Sequence, residues 1–475
     1  MLVHFFSAEG WQSWGLGGEP LIPERMPVLF DDDFLSGDED GPRATRAVNA
    51  WLRTLPSSGA PSPNSWRAYA LAARDWLMHL RRHRVAMFGS RHELVAALGT
   101  YADRRLSGPL DERLASSSWE LQVTALSRFY SWAVSEGLTS AVPFTQAVGM
   151  RMVDGRLVRG ERNLARLRRP KPHVKIQYLE GDFAELFCHG LAGLGPGGLE
   201  DEGFRGRFPG RNAAMGGLVL GTGMRRREFS HLLVHEVPPL PAEPTEVPIP
   251  WAVPELAAKG RKFRTTWIDY GSLTAIHSYI ALERELSRGP WRPRKPLVVD
   301  EADFHGGRVN GRRTAWSQLG PAERLRLVGP EGGSLLLALS YDGRPFVDWG
   351  TLFRRTGRRI RERFEPRFPE VAPHRLRHTF AMATLAKLVE GHYRQAAQLA
   401  AATGDAAGLA LYLLKADPLL ILRDLLGHSS VTTTEVYLKR LDVHRIYRAA
   451  WESVGTAPGA AALAEADAEF AEKEF

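Results

Sequence analysis

Cysteine is almost missing: Cys188 is the only one among 475 residues, which removes intrachain disulfides and zinc sites built from paired cysteines. Its neighbours Leu186 and Phe187 are apolar, so this thiol is expected to be buried. Long apolar runs are missing as well, since no stretch approaches the roughly 18 uncharged residues of a membrane span. The opening residues, Met1 to Ser7, carry neither the basic flank nor the apolar core of a secretory signal, and a cytoplasmic protein without a membrane partner is expected. Period-two alternation is scarce and no repeat of fixed period occurs. What is present, 44% hydrophobic and 24% charged residues, suits a soluble globular chain with apolar material for two or three domains.

Charge of one sign is in small excess overall, +8 from 62 Lys and Arg against 54 Asp and Glu, but it is unevenly spread. Between Arg151 and Lys175 nine basic residues face only Asp154 and Glu161, a net +7 in one short segment. Acidic patches at Asp31 to Asp33, Asp38 to Asp40 and along the tail from Glu465 to Glu474 offset it. Such a strap fits a polyanionic partner, with Arg159, Arg162, Arg166, Arg168, Arg169 and Lys171 as candidate phosphate contacts.

Residues 1–61 are rich in Gly, Pro and acid, with one modest apolar stretch from Val48 to Leu55, and read as an extension with limited structure of its own. From Ser62 the pattern becomes helical. Pro63-Asn64-Ser65 suits a helix start, and Trp66, Tyr69, Ala73, Trp76, Leu77 and Leu80 share one face. A second helix is predicted over Glu93 to Arg105. A third, after Ser116 to Ser118, is predicted to bury Leu121, Ala125, Phe129 and Trp132. Residues 62–148 are thus expected to form a small helical domain, followed by a basic linker over 149–176. A larger domain spans 177–455, with helices around Phe183 to Phe187, Arg211 to Leu233, Leu273 to Leu286, Trp349 to Phe364, Leu376 to Leu388 and Leu419 to Leu426. Its best strand signal is Lys262 to Ile268, after the turn-like Lys259-Gly260-Arg261. Insertions are expected near 290–333 and 387–415, and 456–475 is an acidic tail. The predicted fold class is mainly α, with a small β-hairpin sheet in the second domain.

Four segments of that domain set polar residues in apolar surroundings. In Gly221-Thr-Gly-Met-Arg225-Arg-Arg-Glu228-Phe an apolar helix breaks at glycines and arginines follow at once, the arrangement of a helix cap with a basic turn or of an anion site. Ala258-Lys259-Gly260 puts a lysine on the hairpin turn, with Lys262 as a rival. Pro373-His374-Arg-Leu-Arg377-His378-Thr places histidines at metal-ligand spacing. It lacks the Glu of a His-Glu-x-x-His site, so no metal is expected, and His374 with Arg377 makes a proton-handling group beside a bidentate phosphate clamp. In Leu425-Leu-Gly-His428 a histidine closes a helix and Tyr437 follows nine residues on.

These segments, in this order, resemble the tyrosine recombinase (phage integrase) family over roughly residues 62–445. In that family a Thr-Gly-Leu-Arg segment, a hairpin lysine, a His-x-x-Arg-His-Thr motif and a Leu-Gly-His followed nine residues later by Tyr form the active site. The resemblance implies catalytic roles for Arg225, Lys259, His374, Arg377, His428 and Tyr437. It also implies a core-binding (SAM-like) domain in 62–148 and a clamp closed around DNA. Arg225 is favoured over Arg226 and Arg227 because it directly follows Thr-Gly-Met.

The implied chemistry is cleavage and rejoining of double-stranded DNA through a 3′-phosphotyrosyl bond, with no metal, ATP or other cofactor. Arg225 and Arg377 would neutralise the nonbridging oxygens and His428 would donate to them. His374 would assist proton transfer from Tyr437, Lys259 would protonate the leaving 5′-hydroxyl, and Glu228 would orient Arg225 unless it forms only a surface ion pair. Implied partners are inverted-repeat core sites, a homotetramer on two sites, and an accessory DNA-bending or directionality factor, in a bacterial protein associated with the nucleoid when bound. The function expected is integration, excision or inversion of a mobile element. Alternatives are a type IB topoisomerase-like relaxing enzyme and a cleavage-deficient sequence-specific DNA-binding protein.

Overall fold

The computed structural model describes residues 1–31, 41–153, 156–167, 176–258, 260–403, 417–438 and 440–453. The protein is mainly α-helical and divides into two compact units, Met1–Pro172 and His173–Phe475.

The first unit is built on aromatic packing. Strands β1 (Leu2–Phe5) and β2 (Pro27–Phe30) pair antiparallel and are followed by helices α1 (Gly41–Thr54), α2 (Pro63–Arg82), α3 (Arg91–Leu106) and α4 (Ser116–Ser135). The stretch expected to lack structure therefore contributes to this core. Val48, Trp51, Leu52 and Leu55 lie at i, i+3, i+4 and i+7 and are all buried, and the Asn49 amide ties α1 to β2 through both polar groups of Leu29, at 2.8 and 2.9 Å. Each predicted face residue of α2 is buried. On α4 the buried stripe is rotated from the predicted one: Trp119, Val123, Leu126, Phe129 and Tyr130 face inward, while Leu121 is 43% exposed. Tyr130 in the middle accepts from Trp76 Nε1 and donates to Met87 O, each at 3.0 Å, so this aromatic core leaves neither polar tip unsatisfied.

The expected basic linker is only partly a linker. Strands β3 (Gln146–Val153) and β4 (Arg156–Asn163) pair antiparallel in a long ribbon, in register from Gln146 opposite Asn163 to Val153 opposite Arg156. Arg166 is engaged within the unit, 3.4 Å from the Glu120 carboxylate. Arg162 is exposed. The Arg159 side chain and residues Arg168, Arg169 and Lys171 lie outside the described set.

In the second unit α5 (Gly181–Leu191), α6 (Pro209–Thr222) and the short α7 (Arg226–Phe229) pack with the hairpin β5 (Ile249–Val253) and β6 (Arg264–Ile268) and with α8 (Tyr270–Tyr279), which continues as a π-helical turn, Ile280–Arg284. The predicted strand alternation appears in β6: Arg264, Thr266 and Ile268 are buried, Thr265 is exposed and Trp267 half-buried. Cys188, expected to be buried, is half-buried on α5, and its surroundings push the thiol up to about 11.

The insertion near 290–333 is a small domain element rather than a loop. Strands β7 (Leu297–Asp300), β8 (Gly306–Val309), β9 (Arg312–Ala315), β10 (Leu327–Gly329) and β11 (Gly332–Ser334) form a five-stranded sheet in the order β11-β10-β7-β8-β9, with α9 (Pro321–Arg324) between β9 and β10. It has its own core, in which Val299, Trp316 and Leu327 pack on Leu233. Then follow α10 (Trp349–Arg363), α11 (Pro373–Thr403), α12 (Pro418–Leu426), α13 (Thr432–Leu438) and α14 (Val443–Ser453). The first part of the expected 387–415 insertion simply prolongs α11. No helix among the described residues is long and apolar enough to cross a membrane.

Candidate active site

Two helix ends and one helix start converge in the second unit. Helix α6 ends at Gly223 in the left-handed region (φ 60°), a conformation that favours glycine. A methyl group there would also run into the Phe380 ring of α11. The turn is fixed from within: the Thr222 hydroxyl donates to Leu218 O at 2.6 Å, and Thr266 of β6 donates to Thr222 O at 2.6 Å. This delivers Arg225 to the start of α7, where its backbone N–H donates to Glu228 Oε2 at 2.7 Å and its Nη1 to Oε1 at 3.1 Å.

Glu228 is fully buried. Its second cation is Arg264 of β6, with Nη1 2.9 Å and Nη2 2.6 Å from the two carboxylate oxygens and Nε 3.1 Å from Leu425 O. Burial pushes the Glu228 carboxyl up, but the hydrogen bonds and charge of Arg264, then Arg225, prevail and hold it below its usual range. The Glu228–Arg264 pair is thus the keystone between α7 and α12. The sequence reading found Glu228 and missed Arg264, because one arginine in a short basic strand carries the signature of a solvated face.

Helix α12 ends like α6. Gly427 is left-handed (φ 62°), and the His428 N–H reaches back to Arg423 O at 3.0 Å. A Cβ at Gly427 would stand 2.8 Å from Arg264 Cδ, so glycine is needed for space as well as for φ. The Arg377 guanidinium, 1% exposed at the start of α11, lies between the two helix ends and donates to Gly223 O and Leu426 O. Those bonds use two of its five N–H donors; among the described residues the other three have no acceptor. Burial, then the nearby Arg225 and Arg264, push it down to about 9, so it remains a cation at neutral pH. Arg225 is half-exposed beside it and commits one side-chain donor, to Glu228.

Tyr437, on α13, is 2% exposed, and its hydroxyl lies 2.8 Å from His378 Nδ1. The residue that meets the tyrosine is therefore His378 rather than His374. Four residues apart on α11, the two imidazoles lie edge to face with ring centroids 4.3 Å apart, so His374 adjoins the histidine that meets the tyrosine. Burial, His374 and Arg377 push His378 down to about 4. His428 is likewise pushed down to about 4 by burial and by Arg377 and Arg225, and its Nδ1 lies 3.0 Å from the Thr434 hydroxyl. Both rings are neutral at pH 7. If Thr434 donates to His428 Nδ1, the ring proton sits on Nε2, which is then free to donate to an anion. Burial pushes the Tyr437 phenol up, with Arg377 and Arg225 opposing, so it needs a base to become a nucleophile. A neutral His378 accepting at Nδ1 is placed to be that base.

Of the six residues singled out in the sequence, Arg225, Arg377, His428 and Tyr437 come together, and His374 lies against His378. Lys259 lies outside the described residues. Its rival Lys262 is exposed on the β5–β6 turn.

No protein-family model and no curated protein matches the sequence. Among solved structures, the chain is similar to XerA recombinase, with 16% identity over 84% of this chain and 96% of that one, at a TM-score of 0.32. It is similar to XerH site-specific recombinase bound to its difH substrate in a pre-cleavage complex, with 15% identity over 87% and 89% of the two chains and a TM-score of 0.46. The XerH post-cleavage complex on palindromic difH gives 15% identity, 88% and 92% coverage and a TM-score of 0.45. With overlays this loose, the chemistry of the site has to be argued from its own residues.

Proposed function

We propose that this protein is a tyrosine recombinase that cleaves and rejoins DNA at specific sites through Tyr437. The observation that carries the reading is the Tyr437 hydroxyl, hydrogen-bonded to a neutral histidine beside a buried arginine whose free donors have no carboxylate of their own.

In the reaction the Tyr437 oxygen attacks a DNA phosphorus and passes its proton to His378 Nδ1. The P–O bond to the tyrosine forms and the P–O5′ bond breaks, leaving a 3′-phosphotyrosyl enzyme and a 5′-hydroxyl. Negative charge grows on the nonbridging oxygens, and Arg377, Arg225 and the Nε2–H of His428 are the donors for it; preorganised donors of this kind are each worth about 10²–10³-fold in rate. Arg264 and Glu228 act through Arg225 by fixing where it points. The leaving oxygen takes its proton from the lysine of the β5–β6 turn, Lys259 by the family resemblance. His374, in contact with His378, serves proton transfer at one remove. Because the phosphodiester energy is kept in the tyrosyl linkage, a 5′-hydroxyl from another strand reverses the step without ATP or metal. Integration, excision or inversion of a mobile element on inverted-repeat sites by a tetramer is the biological form this chemistry would take, with the basic segment around β3 and β4 contributing phosphate contacts.

The test is to incubate wild type and Tyr437→Phe with nicked DNA fragments taken from around the gene, denature in SDS and look for covalent protein–DNA adducts. Adducts with wild type alone are expected, and their DNA ends map the site. Equal adducts from Tyr437→Phe, or none from wild type on DNA that it binds, would overturn the reading.

A further inference from the structure

The second unit contains a cleft of about 610 Å³ between the start of α6, the first turns of α10 and the loop before Phe208. Helix α6 is 14 residues long and so holds this cleft roughly 20 Å from Gly223 at its other end, well apart from Tyr437. Five arginines, Arg205, Arg207, Arg211, Arg355 and Arg359, line the cleft against one acid, Asp348. That carboxylate is already engaged in capping α10, 3.3 Å from the Thr351 N–H.

The arginines are held in ways that leave positive charge uncompensated. Arg211 is 4% exposed, donates to Asn212 Oδ1 and Leu339 O, and has no carboxylate in ion-pairing range among the described residues. The Glu283 carboxylate, close by, is bound instead to the backbone N–H groups of Gly210 and Arg211, at 2.7 and 2.9 Å. Burial pushes Arg211 down to about 10. Arg355 is exposed and makes no ion pair among the described residues. Arg359 alone is neutralised, 3.4 Å from Asp201.

Flat apolar surface lies next to this charge. The Arg211 guanidinium sits 3.9 Å from the Phe346 ring centroid, Arg359 4.5 Å from that of Phe204, and Arg207 5.6 Å from that of Tyr341. A guanidinium over a ring keeps its N–H edge for an in-plane acceptor such as a phosphate. A cleft of this size, cationic in excess and walled by rings, suits a ligand that joins several anionic oxygens to an aromatic plane.

We propose that the cleft binds a nucleotide, with Arg207, Arg211 and Arg355 on the phosphate oxygens and the base against Phe204 or Tyr341. The same chemistry is offered by a free nucleotide and by an unpaired nucleotide of a DNA strand. The site shares no side chain with the Tyr437 centre, so it stands or falls independently of the strand-cleavage reading.

The test is calorimetric titration of the full-length protein with ATP, with tripolyphosphate and with a short single-stranded oligothymidylate. The comparison variants are Arg207→Ala/Arg355→Ala, both at exposed positions, and Tyr437→Phe, with circular dichroism to verify folding. Saturable ATP binding is expected, weakened at least about tenfold in the double variant, which a lost pair of charge-assisted contacts implies, and unchanged in Tyr437→Phe. Displacement of ATP by the oligonucleotide would identify the strand as the source, and ATP binding without displacement a free nucleotide; either supports the site. Tripolyphosphate binding as tightly as ATP, equal ATP affinity in the double variant, or no saturable binding would overturn it.

Discussion

Two buried arginines in the second unit show how differently the same side chain is used. Arg324, on α9 beneath the small sheet, is 0% exposed and spends all five N–H donors: on Leu319 O, His231 O, Trp316 O and both oxygens of Glu236. Arg377 is just as enclosed, yet holds only two carbonyls and faces the other arginines instead of a carboxylate of its own. Burying a cation costs several kcal/mol unless it is paired and fully hydrogen-bonded. Arg324 meets that condition inside the fold and so belongs to structure. Arg377 does not, and this incompletely satisfied buried cation beside an unionised tyrosine is what the proposed phosphate site rests on.

The contrast can be broken by exchanging each arginine for methionine. Arg324→Met leaves the Glu236 carboxylate buried without its cation and is expected to cost about 3–5 kcal/mol of stability, read in denaturant melts, with cleavage per folded molecule little changed. Arg377→Met is expected to lower single-turnover cleavage about 10²–10³-fold while shifting the melt less than Arg324→Met does. A reversed pattern would end the distinction.

A smaller effect tests the helix end that holds Arg377. Gly223→Ala forces a Cβ into the left-handed region and against Phe380, and is expected to cost roughly 1–3 kcal/mol and to lower cleavage by displacing Gly223 O.

The smallest change is expected on mild acidification. A histidine of ordinary pKa acting as base would lose about 30-fold in rate by pH 5, whereas His378, held down near 4, should keep most of its activity there. Stability has the same sign: the folded pKa values of His378 and His428 lie below the unfolded value of 6.5, so their contribution is complete above about 6.5 and is lost as pH falls through about 4. A pH–rate profile whose acidic limb lies near 6.5 would show that His378 is not the neutral acceptor described above.

How much of this could be read from the sequence depended on whether the signal was local. The segments around Arg225, Arg377 and His428 each carry a helix boundary and its polar residue within a few positions, and those were legible. Arg264 was not, because its importance comes from Glu228, 36 residues away, and from the Leu425 carbonyl, a backbone group without any residue signature. His378 was visible only as half of a metal-like pair; its bond to Tyr437 depends on how α11 meets α13. The five-stranded sheet escaped notice since its strands are three or four residues long and rich in glycine, too short for alternation to show. Helix α1 did show its apolar spacing, but the acidic and Gly-rich surroundings outweighed four residues whose burial requires the later helices.

For anyone recoding this protein, the paired glycine stops make a practical boundary. Gly223 and Gly427 each end a helix in a conformation that other residues resist, and each leaves room for a neighbouring side chain, Phe380 or Arg264. A mutant library that fixes these two positions and Lys259 and diversifies the exposed Arg261 and Phe263 of the β5–β6 turn would vary that surface while keeping the Arg377 cradle intact.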